Sequence, residues 1–553
     1  MEGVTFMYSL IIPSAKIVSQ DLQKLGKLPA AIYPLNKGIV LDYIYELYGE
    51  KVSNMVIVTK EKADKVEGTV LKLPYKDIIQ NEKLDELKDV GYTVLQGLKA
   101  DESSNSVIIN FADTIVEDVR EEIEKDSFYY AEDEISEKWT YFEEENGVIT
   151  SINDKTLNNS SKSESGKLFV GTFCIGDKEA FIGCLEDASH NENNIDSFYA
   201  ALSVYSKTHK LKAVKANQWY DIGHSDKYYD TQLEVKAREF NHIEIDKSRG
   251  ILKKYSDNVS KFLGEIKWYL KLPDDIEYVR PRIFSYSLSY EKPYVEMEFY
   301  SYHTLHELYL YGELSKSQWK SIFERIKFII TDFSRYKLKD ENIKSALKSM
   351  YLDKSIERLE KLKKDERFIR FFNEDIKVNG VTYYSLSEII EMLKVEIPKR
   401  LYNSEEFQII HGDLCFANIM IDENLNFIKV IDPRGQFGKY DIYGDLRYEL
   451  AKLFHSIDGK YDYIIKDLFD ININKETNEI IYGVQDKERD FNLFNELKAS
   501  FKDIIDKNYD EIELIESLLF LSMIPLHGES YNHQLAMLST GVQILDRIID
   551  IKK

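Results

Sequence analysis

Three side chains in the C-terminal half have the types and spacing that phosphoryl transfer requires. Asp413 closes the run His411-Gly412-Asp413, Asn418 follows five positions later, and Asp432 stands in Ile431-Asp432-Pro433-Arg434-Gly435. Moving a phosphoryl group to a hydroxyl needs an aligned acceptor oxygen and neutralised phosphate charge, with little covalent help from the protein. A carboxylate that takes or orients the hydroxyl proton meets the first need, and oxygen ligands for Mg²⁺ meet the second. Asp413 suits the base, with Asn418 and Asp432 as metal ligands. A chance turn and a helix cap explain the run less well, because residue types, spacing and context agree.

The elements around these residues must bring them together. Residues 419–421 and 427–431 read as a hairpin turned at 422–426, which returns Asp432 to the neighbourhood of Asn418. Upstream, residues 242–245, 250–254, 282–288 and 293–299 read as short strands, with a helix over 259–270 between the second and third. After Thr304 the chain has mainly helical periodicity, as at 319–333 and 386–395. A small β-rich part followed by a large helical part is a kinase-like order.

This arrangement resembles the aminoglycoside phosphotransferase and choline kinase family, a branch of the protein-kinase-like fold. The resemblance covers roughly residues 240–553, with 236–303 as the small β-rich lobe and 304–553 as the large helical lobe. It implies Asp413 as catalytic base, Asn418 and Asp432 as Mg²⁺ ligands, and ATP as phosphoryl donor. It also implies a strand lysine at the ATP phosphates, held by a helix glutamate. Lys253 and Lys254 are adjacent on one strand and so face opposite sides. Lys254 is assigned this role with Glu265 as partner, and Lys253 is the alternative. Val295-Glu296-Met297-Glu298 reads as the hinge whose backbone, at Glu296 and Met297, would meet the adenine. Only Gly250 stands where a glycine-rich phosphate loop would precede the lysines. Asp441 and Arg447 are candidates for the acceptor, although an ion pair or a helix cap is the simpler reading of each. The same holds for Asp445, Glu449, His527 and Glu529.

The first 235 residues alternate short β-rich runs with helical segments, an α/β pattern. Expected strands lie at 8–12, 54–59, 106–111, 139–143 and 168–175, and expected amphipathic segments at 40–48 and 82–87. Residues 158–166 read as an exposed polar loop. Four segments carry a diffuse resemblance to sugar-phosphate nucleotidyltransferases, which have a Rossmann-like mixed sheet. They are 10–15, 28–38, Val107-Ile108-Ile109-Asn110-Phe111-Ala112-Asp113-Thr114 and Trp219-Tyr220-Asp221-Ile222-Gly223-His224. The resemblance implies Asp113 and Asp221 as ligands of one Mg²⁺, and CTP or another nucleoside triphosphate as substrate. Lys155 is a candidate for a sugar phosphate. Two departures stand out. The loop after the first strand, Ser14-Ala15-Lys16-Ile17-Val18-Ser19, has no glycine, and Ala30 replaces the family's lysine. Lys16, Lys24, Lys27 or Lys37 would have to substitute for the missing cation.

A chain of 553 residues exceeds one core, and its 43% hydrophobic and 31% charged content is ordinary for a globular protein. The net charge of −23 argues against nucleic acid and anionic membrane as partners. No run is long and apolar enough for membrane insertion. Three cysteines without metal or disulfide spacing fit a reducing, cytoplasmic setting. The sequence thus suggests a fused enzyme. Its kinase would phosphorylate a sugar, polyol or amino alcohol, and its first domain would make a nucleotide-activated product for cell-surface polysaccharide or headgroup synthesis. The alternative keeps the kinase but makes the first half a non-catalytic nucleotide- or sugar-binding module.

Overall fold

The computed structural model describes residues 8–35, 38–120, 123–134, 136, 138–155, 165–189, 195–224, 227–228, 231, 243–246, 248–474, 477, 479–487 and 489–553. Lys37, His242, most of the expected polar loop (158–164) and the side chain of Lys24 lie outside the described residues. The chain divides into two compact units, Met1–Val235 and Lys236–Lys553.

The first unit is built on a mixed sheet. Tyr8–Ser14 lies at its centre and pairs in parallel with Val52–Thr59 on one side and Val107–Asn110 on the other. The long strand Ser165–Ile175 continues the sheet antiparallel to Val107–Asn110, and then pairs Ser127–Glu134 and Thr140–Glu145. The central strand reads Leu10-Ile11-Ile12, fully buried on both faces, as a parallel strand covered by helices must be. An aromatic cluster of Phe128, Phe142, Phe169, Phe173 and Phe198 fills one face. The expected helical segment at 82–87 is corrected. Its first residues belong to the strand Ile79–Lys83, parallel to Val52–Thr59. Leu84 and Leu87 are spaced like a helix face, but Leu84 is buried at the sheet edge and Leu87 is exposed.

The second unit begins with a four-stranded antiparallel sheet in the order Ile243–Asp246, Ile251–Lys254, Tyr294–Glu298, Ile283–Ser287. The helix Val259–Lys271 is started by Asn258, whose side chain accepts from the Lys261 amide. Long helices follow, including Lys316–Phe333 and Leu386–Leu401, each opened by a serine capping box. The strand Phe407–Ile409 leads into the His411-Gly412-Asp413 turn, and Ile419–Ile421 pairs Ile428–Val430 as a hairpin.

Two contacts lock Val259–Lys271 onto that turn and hairpin. The buried Trp268 indole donates to the Ile410 carbonyl at 2.7 Å. Gly435, at φ +63°, packs backbone to backbone against Gly264, and a Cβ on Gly435 would fall inside the Gly264 peptide. Gly435→Ala should therefore destabilise the unit by about 1–3 kcal/mol, read as a lowered midpoint in chemical unfolding. Wild-type stability in that variant would show that the close approach is not needed.

Candidate active site

One lysine ties three elements of the second unit together. Lys254 Nζ lies 2.8 Å from Glu265 Oε1 on the helix and 2.7 Å from Asp432 Oδ1 beyond the hairpin. Strand alternation turns Lys253 the other way, 3.4 Å from Glu296 and over the Tyr294 ring. Burial acts to discharge Lys254, but the two carboxylates outweigh it and hold the ammonium above its ordinary range. Glu265 is pushed up to about 7 by burial, with Asp432 adding to it and Lys254 opposing.

The turn at Asp413 is fixed by its own backbone and neighbours. Gly412 takes φ +77°, a conformation that suits glycine, and its amide donates to the Glu449 carboxyl at 3.0 Å. Burial lowers His411 to about 4, so the ring is neutral. Its Nε2 then donates to the Ile431 carbonyl at 2.9 Å, and its Nδ1 accepts from the Asp413 amide at 3.3 Å. Asn418 Nδ2 donates to the Asp413 carbonyl at 2.8 Å, which leaves the amide oxygen for a cation. The Asn418 carbonyl in turn accepts from Ile431 at 3.0 Å. Asp432 sits at φ +57°, uncommon outside glycine, and its amide donates to the Tyr269 hydroxyl at 3.0 Å. The oxygen donors at Asn418 and Asp432 are the hard ligands that Mg²⁺ prefers.

Lys452 was not anticipated. Its Nζ lies 2.8 Å from Asp413 Oδ1. Burial alone would raise the Asp413 carboxyl, but Lys452 overrides it and holds the group at about 2. The signal in the sequence was a lysine inside the apolar run Leu450-Ala451-Lys452-Leu453-Phe454. Asp413, Asp432, Lys452 and Arg434 line a cleft of about 530 Å³, with Tyr461 and Leu519 on its apolar side.

Three expectations are corrected. Arg447 is buried, and its guanidinium is committed to Asp445 (2.8 Å), Asn403 (2.7 Å) and the Leu401 carbonyl (2.9 Å). Asp445 caps the helix Leu446–Ile457, so this pair is architectural. Asp441 forms an ion pair with Lys271 and does not line the cleft. Glu296 and Met297 lie in a strand paired on both sides, with Lys253 and Leu252 across one ladder and Ser285 and Ile283 across the other. Their peptide groups are spent within the sheet, and the chain leaves it only after Glu298.

In the first unit, Asp113 and Asp221 converge. Both carboxylates would lie within 3.3 Å of a Cβ placed on Gly223, and the Ile222 amide donates to the Asp113 carbonyl at 2.8 Å. The strand Trp219–Asp221 pairs Thr114–Val116, which sets Asp221 opposite Thr114. Burial first, and then Asp221, push Asp113 up to about 6, while the charges of His224 and Lys155 oppose the rise. His224 Nδ1 contacts Asp221 Oδ2 at 2.7 Å, an interaction that sequence reading did not assign. The Ser19 hydroxyl of the glycine-less loop donates to the Gly223 carbonyl at 3.2 Å. In the same loop, the Ile17 amide donates to Glu61 at 2.8 Å.

No protein-family model and no curated protein matches the sequence. Solved structures of nucleotidyltransferases align with the N-terminal ~41% of the chain. HddC from Yersinia pseudotuberculosis is 16% identical, covering 41% of this chain and all of its own, at a TM-score of 0.32. A UDP-glucose pyrophosphorylase complexed with UDP-glucose is 15% identical, covering 42% and 99%, at 0.34. The inositol-1-phosphate CTP transferase of T. maritima is 17% identical, covering 42% and 97%, at 0.32. Among the described residues, no helix is long and apolar enough to cross a membrane.

The Asp113–Asp221 pair generates a pH prediction. A cation there needs both carboxylates ionised, and Asp113 takes up a proton as pH falls through about 6. Mg²⁺ affinity at this pair should hold above that pH and weaken roughly tenfold per unit below it. Calorimetry on the full chain, with Asp113→Asn as reference, isolates the contribution. A Mg²⁺ signal that is unchanged in Asp113→Asn would contradict the assignment.

Proposed function

We propose that the unit Lys236–Lys553 is an ATP- and Mg²⁺-dependent phosphotransferase of bilobal, protein-kinase-like architecture, acting on a hydroxyl of a small metabolite. The observation that carries this reading is the convergence of Lys254, Glu265 and Asp432 within 2.8 Å contacts, together with the Asp413–Asn418 link at 2.8 Å. Held by Asn418 and Asp432, Mg²⁺ would neutralise charge on the transferring phosphates. Lys254 contributes a buried cation at the same place, and Glu265 keeps its ammonium aimed. Asp413, kept ionised by Lys452, orients the acceptor hydroxyl and takes its proton as the new O–P bond forms and the γ-phosphorus bond to the bridging oxygen of ATP breaks, releasing ADP. The adenine-facing backbone is assigned to residues 300–302, between the strands Tyr294–Glu298 and His303–Thr304.

For the first unit, we propose nucleotidyl transfer from CTP or another nucleoside triphosphate to a sugar or polyol phosphate. Asp113 and Asp221 would hold the metal, and Lys155 would meet the sugar phosphate. Fusing the two steps raises the effective concentration of the first product at the second site. The alternative, a binding module without turnover, is favoured by one observation. Glu61 occupies the Ile17 amide in the loop expected to cradle phosphates, and adds negative charge there. Mass spectrometry of the phosphorylated product with each nucleoside triphosphate separates the two. A nucleotide conjugate that requires Asp113 supports transfer, and its absence supports the module.

Two variants test the phosphotransferase. Asp413→Asn should lower turnover by about 10²–10⁴-fold, and Asp432→Ala should abolish it, with circular dichroism unchanged in both. Wild-type turnover in either variant would refute the site. In Lys452→Met, burial acts on Asp413 without its counter-charge, so the carboxyl rises. The acid limb of kcat/KM should then move from about 2 to above the ordinary carboxylate range. An unmoved limb would show that Lys452 does not set the charge state of Asp413.

A further inference from the structure

The chain carries a net charge of −23, yet the cleft at Asp413 has the opposite sign. Lys261, Lys354, Arg358, Arg434 and Lys452 line it, and its only lining carboxylates among the described residues are Asp413 and Asp432. Lys452 is matched by Asp413, and Asp432 by Lys254. Lys261, Lys354, Arg358 and Arg434 have no carboxylate within 4.0 Å among the described residues. Arg434 donates to the Gln436 carbonyl (2.9 Å) and the Tyr448 hydroxyl (3.0 Å), and Arg358 to the Ser522 carbonyl (3.3 Å), all neutral acceptors. Burial, with Arg434, Arg358 and Lys452 adding to it, drives the Lys354 ammonium down to about 6.

Lys354 and Arg358 stand one turn apart on the helix Lys354–Leu362, directly after the π-helical segment Lys348–Asp353. Such wide turns are rare and concentrate at functional sites. This helix packs against Tyr509–Met523, whose Leu519, Ser522 and Met523 line the same cleft. Of the uncompensated cations, Lys354 and Arg358 belong to the helical wall beside Asp413, Arg434 to the loop after Asp432, and Lys261 to the helix Val259–Lys271. Arg358 and Arg434 gather with a lysine that they and burial hold largely neutral, and an oxyanion is the ligand that relieves this crowding and lets Lys354 take up its proton.

We propose that the helical wall is a phosphate-binding subsite for the acceptor, so that the phosphotransferase acts on a hydroxyl compound already bearing a phosphate group. This rests on the phosphotransferase reading and narrows its acceptor class. An amino alcohol would set its own cation against Lys354, Arg358 and Arg434. A phosphorylated sugar or polyol would offer them two or three acceptor oxygens, which arginine forks bind in pairs.

The test uses the full chain saturated with Mg²⁺ and a non-hydrolysable ATP analogue, so that the nucleotide's own phosphate positions are filled. Inorganic phosphate is then titrated by calorimetry. Saturable phosphate binding is expected, at least tenfold weaker in Lys354→Met/Arg358→Gln and retained in Lys354→Arg. No phosphate binding, or equal binding in the double variant, would overturn the subsite. Failure of the analogue itself to bind would count against the phosphotransferase reading instead. The same phosphate titration on the bare chain would then still decide the subsite.

Discussion

The sharing of one ammonium between two carboxylates organises the second unit. Lys254 comes from a strand, Glu265 from the helix that follows, and Asp432 from beyond a hairpin 178 residues away in sequence. Removing one partner would leave a buried charge uncompensated, which is costly, so the three side chains act as a set. The set can persist only if helix and loop approach closely. Gly264 and Gly435 permit that approach by having no side chains at the contact. Trp268 and Tyr269, successive residues of the same helix, then hydrogen-bond to Ile410 and Asp432. The helix thus positions both the turn that carries Asp413 and the loop that carries Asp432.

Within this frame, environment separates carboxyl groups that are chemically alike. Asp413 is held at about 2 by Lys452 against the effect of burial. Glu449 forms no ion pair among the described residues, and burial raises it to about 8 while it holds the Gly412 amide. One group is kept charged at the cleft, and the other serves as a neutral brace for the turn. Divergent environments of this kind are how one site assigns different tasks to the same side-chain type. Lys354 shows the converse for a cation. Burial depresses it, and the neighbouring like charges add to the effect.

Much of this was legible in the sequence where one local rule decides. Strand alternation sends Lys253 and Lys254 to opposite faces, and the hairpin at 419–430 follows from two apolar runs around a polar turn. The Asp113 and Asp221 segments each place their aspartate at or just beyond a strand end. Other features depend on pairing that no local pattern encodes. Arg447 resembled a ligand contact because its partners, Asn403 and Leu401, come from the end of a distant helix and the turn after it. Glu296 and Met297 looked available until both their neighbours in the sheet were in place. Lys354 and Arg358 sit in a segment rich in lysine and glutamate that reads as a solvated helix, and only the packing of Tyr509–Met523 turns that face into a cleft wall. Leu84 and Leu87 mimicked a helix period because a spacing of three residues is too short to fix one.

The two units present different chemistry. In the first, two carboxylates converge beside a loop whose Ile17 amide is already engaged. In the second, Lys254 joins Glu265 and Asp432, while Lys452 and Asn418 hold Asp413. The central claim, that the second unit moves the terminal phosphoryl group of ATP to a hydroxyl, is tested most directly by isotope tracing. The full chain would be given Mg²⁺ and ATP labelled at either the γ- or the α-phosphorus, with a panel of sugars, polyols and their monophosphates. The account predicts γ-label on an acceptor and no α-label in the absence of a second nucleotide. Acceptors left unlabelled across the panel, or label that arrives equally well with Asp413→Asn, would contradict it.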